Sequence, residues 1–342
     1  MLRTKVARCH AELEEKGAMR IVGHTFCGLL AALLLDPTAG IAQGYPSKPV
    51  HIVVPFAAGG AIDVLARLIG SKISENTGQP IIIDNRPGAS GTLGAEIVAK
   101  SAPDGYTILQ NSTAQALAPA LFRKLPFDTL KDFIPVTEVA STQSVLVTPA
   151  KLPVSTLQEL VTLAKSKPGT LNYGVAGLGN AANLNMEMMK RAAEIDIQAI
   201  PYKGDAPLNA DLLAGQIQIA IVPLATAKPL IDIGRLRALA VIGPARSPIL
   251  PDVPTAAEAL PPGFGVVGWE AWFVAANTPR DIVGRIQAEV AKALRDPGIV
   301  DGMKKLGNEP VGSTPEAFDV QFRDDIARFQ KVVDEAQIPK LD

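Results

Sequence analysis

Residues 50–70, VHIVVPFAAGGAIDVLARLIG, decide the fold. Residues 51–56 are short, apolar and rich in β-branched side chains, the pattern of a strand covered on both faces. Gly59 and Gly60 let the backbone turn sharply and leave amide groups uncovered by side chains. Asp63 falls in the first helical turn, and Val64, Leu65, Leu68 and Ile69 then recur at helical spacing. Such a turn aims free N–H groups and a helix N-terminus at one spot, which suits an anion. An ordinary strand-to-helix turn of an α/β core has the same pattern, so the stretch alone does not decide between them.

Working outward, strand and helix signals alternate. Strands are expected at PIIIDN (80–85) and YTILQN (106–111), with a turn at RPGASG (86–91). Residues 133–149 are long and extended with a polar middle, as if one strand leaves a sheet and another enters a second. The pattern then restarts. LNYGVA (171–176), the Gly-rich turn GLGN (177–180) and a helix over 182–193 are the counterpart of the opening stretch. Further strands follow at 197–202, 217–223 and 236–243, then a Pro-rich link and the extended GWEAWFVAANTP (268–279). Three helical patterns end the chain. The expected fold class is therefore α/β, with two lobes of about five strands each and two strands that cross between them. The boundaries drawn are 45–143 plus 252–342 for lobe 1 and 144–251 for lobe 2. The switch-point rule places the open loops of both sheets on one interlobe cleft, over which the lobes close as on a hinge.

The 342 residues are 47% hydrophobic and 20% charged, which suits a globular chain with a sizeable core. A net charge of −1 argues against a nucleic-acid binder. Met19-Arg20 precedes an apolar run over 21–35 and small residues Gly40 and Ala42, so residues 1–42 read as a signal peptide cut near Ala42. Translation is expected to start at Met19, because the acids before it do not suit a signal peptide. The protein is then expected to be exported.

Removing residues 1–42 takes away Cys9 and Cys27 and leaves His51 as the one histidine. Thiol catalysis, a disulfide framework and a Cys/His metal site are then excluded, and no cofactor or metal is expected. Gly88-Ala89-Ser90-Gly91 starts like a nucleophile turn, but Thr92 stands where the last glycine belongs, and no histidine is placed to serve a triad. Residues 177–182 fit the G-x-G-x-x-A dinucleotide pattern, with Asp196 downstream, but an exported protein has little access to such a cofactor. Binding is better supported than catalysis.

The quoted stretch, NRPGASGTLGAEIVAKSAPDGYTIL, LPFDTLKDFIPV, YKGDAPLNADLLAGQI, GRLRALAV and DVPTAAEA occur in this order. From residue 45 onward the chain resembles the periplasmic solute-binding proteins of tripartite tricarboxylate transporters, the Bug receptors. The resemblance implies a two-lobed, type II periplasmic binding fold and a small carboxylated ligand in the cleft, delivered to membrane permease subunits by a monomeric receptor. It implies ligand contacts at Phe56, Ala58, Gly59, Gly60 and Asp63, then at Ser112 and Thr113. From the second lobe it implies Gly174, Val175, Ala176, Gly177 and Gly179, with Tyr202, Lys203, Gly204 and Asp205. Asp63 is expected either to touch ligand or to orient the first loop. Val175, Ala176 and Val222-Pro223 depart from the family's usual polar residues, which implies a less polar carboxylate than an amino acid. A secreted enzyme on a similar fold, or a sensor subunit, is the alternative.

Overall fold

Four of the five residues of β1 (Val50–Val54) are β-branched, and those four are buried; only His51 is exposed. β1 therefore lies in the middle of a sheet. The computed structural model describes residues 44–176, 180–202, 204–243, 245–259, 265–335 and 337–341. The proposed signal segment and start site lie outside the described residues.

In chain order the elements after β1 are α1 (Ala61–Thr77), β2 (Ile81–Asn85), α2 (Thr92–Ala99), β3 (Thr107–Ser112), α3 (Ala114–Leu121), β4 (Phe133–Thr142) and β5 (Ser144–Pro149). Then come α4 (Leu157–Ser166), β6 (Asn172–Val175), α5 (Ala181–Ala192), β7 (Gln198–Pro201), α6 (Asp205–Ala214), β8 (Ile219–Pro223), α7 (Leu224–Asp232) and β9 (Leu236–Ile242). The chain ends with α8 (Ala256–Ala259), β10 (Gly268–Ala275), α9 (Arg280–Ala293), α10 (Pro297–Lys305), β11 (Asn308–Pro310) and α11 (Pro315–Glu335).

They form two sheets, with strand orders β11-β4-β10-β3-β1-β2 and β7-β6-β8-β5-β9. In the first, β1 pairs in parallel with β2 and β3, and β10 runs antiparallel between β3 and β4. In the second, β6 pairs in parallel with β7 and β8, and β5 runs antiparallel between β8 and β9. The two sheets repeat one plan. β6, β7 and β8 stand as β1, β2 and β3 do, and each sheet takes in one antiparallel strand that arrives from the other.

The first crossing happens at a single residue. β4 ends at Thr142 in sheet 1 and β5 starts at Ser144 in sheet 2. Gln143 between them accepts the Leu224 N–H on its carbonyl (2.8 Å) and the Ser247 hydroxyl on its Oε1 (2.9 Å). The second crossing leads from β9 to β10. Before β10, the Val266 N–H donates to Asn185 Oδ1 (2.8 Å) and Asn185 Nδ2 donates to the Val266 carbonyl (3.0 Å). Asn185 is 1% exposed and belongs to α5, whose Met186 and Met189 sit in the core of sheet 2. Its neighbour Leu184 packs instead with Val266, Trp269 and Phe273 of the first lobe. Asn185→Ala strands a buried N–H and a buried C=O at the crossing, so we expect a loss of about 2–4 kcal/mol in denaturant unfolding.

Among the elements not legible in the sequence, two have a plain reason. α7 carries Pro229 in its interior, which spoils a helical reading of LATAKPLID, yet Leu224 and Ala227 are buried against sheet 2. β11 has three residues, too few for a periodic signal, and exists through its pairing with β4.

Candidate ligand-binding site

In each sheet the chain leaves the first parallel strand for one side and returns on the other. The switch points are between β1 and β3 in sheet 1 and between β6 and β8 in sheet 2, where diverging loops leave a crevice. The turn after β1, the β3–α3 turn, the turn after β6 and the β7–α6 turn carry the residues expected to bind ligand.

The first turn is built around Asp63. Its side chain is 2% exposed although the turn beside it is open to solvent. Asp63 Oδ2 accepts the Gly59 N–H (2.8 Å) and the Arg67 Nε–H (3.0 Å), and Oδ1 accepts from Asn85 Nδ2 (3.0 Å). Asn85 Nδ2 also donates to the Phe56 carbonyl (3.1 Å), and Arg67 Nη2 donates to Asn85 Oδ1 (3.0 Å). The spacing explains the pattern. Asp63 and Arg67 are four apart on α1 and meet on one face, while Asn85 ends β2 beside Val54 of β1. Burial by itself would raise the Asp63 carboxyl, but the N–H groups of Arg67, Gly59 and Asn85 outweigh it and hold the group below the usual carboxylate range.

This corrects the expectation that both glycines offer free amides. The Gly59 amide is consumed by Asp63, and the Gly60 N–H leans back on the Ala57 carbonyl at 3.4 Å. Gly59 contributes conformation instead: its φ is +82°, which a side chain rarely adopts. The described residues give no acceptor to the amides of Ala57, Ala58, Ala61 or Ile62. These are the donors the turn and the N-terminus of α1 leave over for an anion. Both Asp63 oxygens are thus engaged by groups of the protein itself, Gly59, Arg67 and Asn85.

Ser112 and Thr113 lie at the end of β3, the strand next to β1. The Ser112 hydroxyl accepts the Ala114 N–H (3.3 Å), and the Thr113 N–H donates to the Trp269 carbonyl (3.1 Å). Gln110, two residues earlier, reaches α1: its Nε2 donates to the Ile62 carbonyl (3.0 Å). The two loops of sheet 1 are thereby joined.

In sheet 2, Gly177, Gly179 and Lys203 lie outside the described residues. Gly174 is buried within β6, where an added Cβ would meet Ile217 Cδ1 at 2.5 Å and Leu208 Cγ at 2.9 Å. Its lack of a side chain lets α6 close onto the strand. Val175 and Val222 are each 1% exposed and belong to hydrophobic cores, so neither side chain selects among ligands as their sequence positions suggest. Ala176 is half-buried just beyond β6, and its carbonyl accepts from Asn180 Nδ2 (3.1 Å). Asn180 also caps α5 by accepting the Asn183 N–H (2.8 Å). The Tyr202 N–H donates to the Val175 carbonyl (2.8 Å), which holds the β7 end against the β6 end. The Tyr202 hydroxyl donates to Asp211 (2.8 Å); burial and that carboxylate push the phenol up to about 12. Gly204, at φ +142°, leads into α6, and half-buried Asp205 occupies its first turn, where burial raises its carboxyl.

No helix among the described residues is long and apolar enough to cross a membrane, and none of them form a group of three or more metal-ligating side chains. Two α/β sheets of one plan, joined by two crossing strands, with an amide-rich turn at the switch point of the first, define the class of two-lobed binding proteins. The profile of the tripartite tricarboxylate transporter receptor family matches residues 65–338. The chain is 35% identical over 315 residues to protein BugT of Bordetella pertussis, covering 90% of this chain and 97% of BugT. Among solved structures, R. palustris Rpa4515 with adipate is 36% identical with a TM-score of 0.81, covering 87% of this chain and all of the other. MatC of Rhodopseudomonas palustris with bound malate is 33% identical with a TM-score of 0.78, covering 84% of this chain and all of the other. The chain belongs to the tripartite tricarboxylate transporter receptor family. It is a solute-binding receptor, and its relatives are not enzymes.

Proposed function

We propose that this receptor captures a small carboxylate between its lobes and passes it, as a monomer, to the permease subunits of a tripartite transporter. The lobes are residues 45–143 with 252–342, and 144–251. The observation that carries the reading is the braced turn after β1, whose amides at Ala57, Ala58, Ala61 and Ile62 are given no acceptor by the described residues. Charge-assisted hydrogen bonds contribute roughly 1.5–3 kcal/mol each, so a few such donors reach the roughly −8 kcal/mol of micromolar binding. The site comprises Phe56, Ala58, Gly59 and Gly60 with Asp63 beneath them, Ser112 and Thr113, the turn from Gly174 to Gly179, and Tyr202 to Asp205. Adipate in Rpa4515 and malate in MatC support a carboxylate. Pro223, half-buried at the end of β8, leaves no acid there for a ligand's amino group, which favours carboxylates without one. Export follows a cut near Ala42.

Calorimetry against adipate, malate, aromatic carboxylates and amino acids tests the reading. We expect micromolar binding of at least one amine-free carboxylate; binding of amino acids alone would contradict it. Gly60→Asp is the companion variant. Gly60 has φ −75°, and a Cβ there stands 3.4 Å from the Ala57 carbonyl, so the fold accepts it. The added charge lowers carboxylate affinity at least tenfold, by about 1.4 kcal/mol or more, while leaving the melting temperature in place.

A further inference from the structure

One buried acid has no part in the site as described. Glu270, on the crossing strand β10, is 4% exposed and stands directly opposite Ser112 of β3. Its Oε2 accepts a hydrogen bond from Gln110 Nε2 (3.0 Å), the same nitrogen that donates to the Ile62 carbonyl. Gln110 Oε1 in turn accepts the Trp272 indole N–H (2.9 Å). One amide side chain therefore separates the Glu270 carboxyl from the first turn of α1, where the amides proposed to hold the ligand emerge.

The surroundings of Glu270 are neutral. From β3 it meets the Gln110 amide and stands across from Ser112; from β4 it faces Ala140; from α1 it is linked to the Ile62 carbonyl. The ion pair in the first turns of α1, Asp63 with Arg67, is engaged with Asn85 of β2. Glu138 and Asp325 belong to the cluster with Gln321 and Trp269, whose strand positions alternate with that of Glu270 and so lie on the other face of the sheet. Burial without a cation pushes the Glu270 carboxyl up to about 7, only partly opposed by the Gln110 N–H.

We propose that Glu270 is a proton-dependent determinant of ligand affinity: neutral, it leaves the N–H-rich end of α1 to the ligand's carboxylate, and ionised, it opposes that carboxylate from beneath the same turn. The inference rests on the carboxylate reading above. Binding of an anion favours the protonated form, so affinity falls as pH rises through neutrality. A like charge one side chain away from the turn that holds the ligand, at an effective dielectric near 20, weakens binding on the order of tenfold.

The test is titration of adipate and malate at about pH 6 and about pH 8.5, a range in which ligand carboxylates stay ionised, for the wild type and for Glu270→Gln. We expect wild-type affinity to fall about tenfold across the range. The Glu270→Gln protein should match the wild type at the lower pH and bind about tenfold tighter at the higher one. A second readout needs no ligand. A carboxyl raised in the folded state stabilises fully below the unfolded pKa, and that contribution is lost as pH rises through the folded one. Glu270→Gln should therefore melt higher than wild type at pH 8.5 and with it at pH 5. A wild-type affinity independent of pH, an unchanged slope in Glu270→Gln, or no gain in its melting temperature at pH 8.5 would overturn the inference and leave the carboxylate reading standing. Failure of either protein to bind any carboxylate of the wider panel at either pH would overturn both.

Discussion

Asp63→Ala is expected to lower ligand affinity about 100-fold while the protein remains folded. The substitution removes the acceptor of the Gly59 amide, the partner of Arg67 and one partner of Asn85 Nδ2. The freed Gly59 N–H faces solvent and Arg67 is half exposed, so little is left buried and unpaired, and the stability cost is about 1–3 kcal/mol. Binding suffers more. The turn from Ala57 to Gly60 then has to be ordered by the ligand, and that ordering draws on the binding free energy. Calorimetry and thermal melting on the same sample separate the two effects. Asp63→Asn keeps one acceptor oxygen and should fall between wild type and alanine. Unchanged affinity in Asp63→Ala would show that the brace does not matter to the site. The depressed Asp63 carboxyl sets the sign of the acid response: its contribution is present above the unfolded pKa, about 3.9, and is lost as pH falls through the lower folded value.

Trp269→Ala is expected to have the largest effect on stability, about 5 kcal/mol. The indole is 3% exposed and packs edge-on to Phe318 (centroids 5.3 Å apart) and Phe322 (6.1 Å), with Phe273 at 6.2 Å. Removing a buried tryptophan costs roughly 3–5 kcal/mol. Its N–H donates to Asp325 at 2.8 Å, and a buried carboxylate that loses a donor adds about 1–3 kcal/mol. Trp269→Phe keeps most of the packing and should lose about 1–3 kcal/mol. Denaturant unfolding measures both; a loss under about 2 kcal/mol for alanine would mean that the cluster collapses around the gap. The position matters to function as well. Trp269 opens the crossing strand β10, its carbonyl accepts the Thr113 N–H, and its cluster includes Leu184 of α5. The aromatic core thus anchors the second crossing, the β3–α3 turn and the helix behind the second Gly-rich turn.

The sequence determined the alternating α/β order, the doubling of the strand-turn-helix unit and the long extended segment over 133–149, because periodicity and turn residues are local properties. It also determined the family, since its matching segments run in order along the chain. The tertiary structure decided what is made by contacts between distant residues. Asn85 comes 22 residues after Asp63, yet only the pairing of β2 with β1 brings it to that carboxylate and turns a glycine amide inward. Val175 and Val222 stand beside the expected site in sequence but point into the cores, because side chains of a strand alternate between faces and register chooses the face. Glu270 is one acid among many in the chain; its neutral cage of Gln110, Ser112 and Ala140 exists because β10 crosses from the other lobe to lie between β3 and β4. The chain alone could mark the loop after β1 as a turn for an anion. Which of its amides remain for the ligand depended on side-chain hydrogen bonds that only the assembled sheet could form.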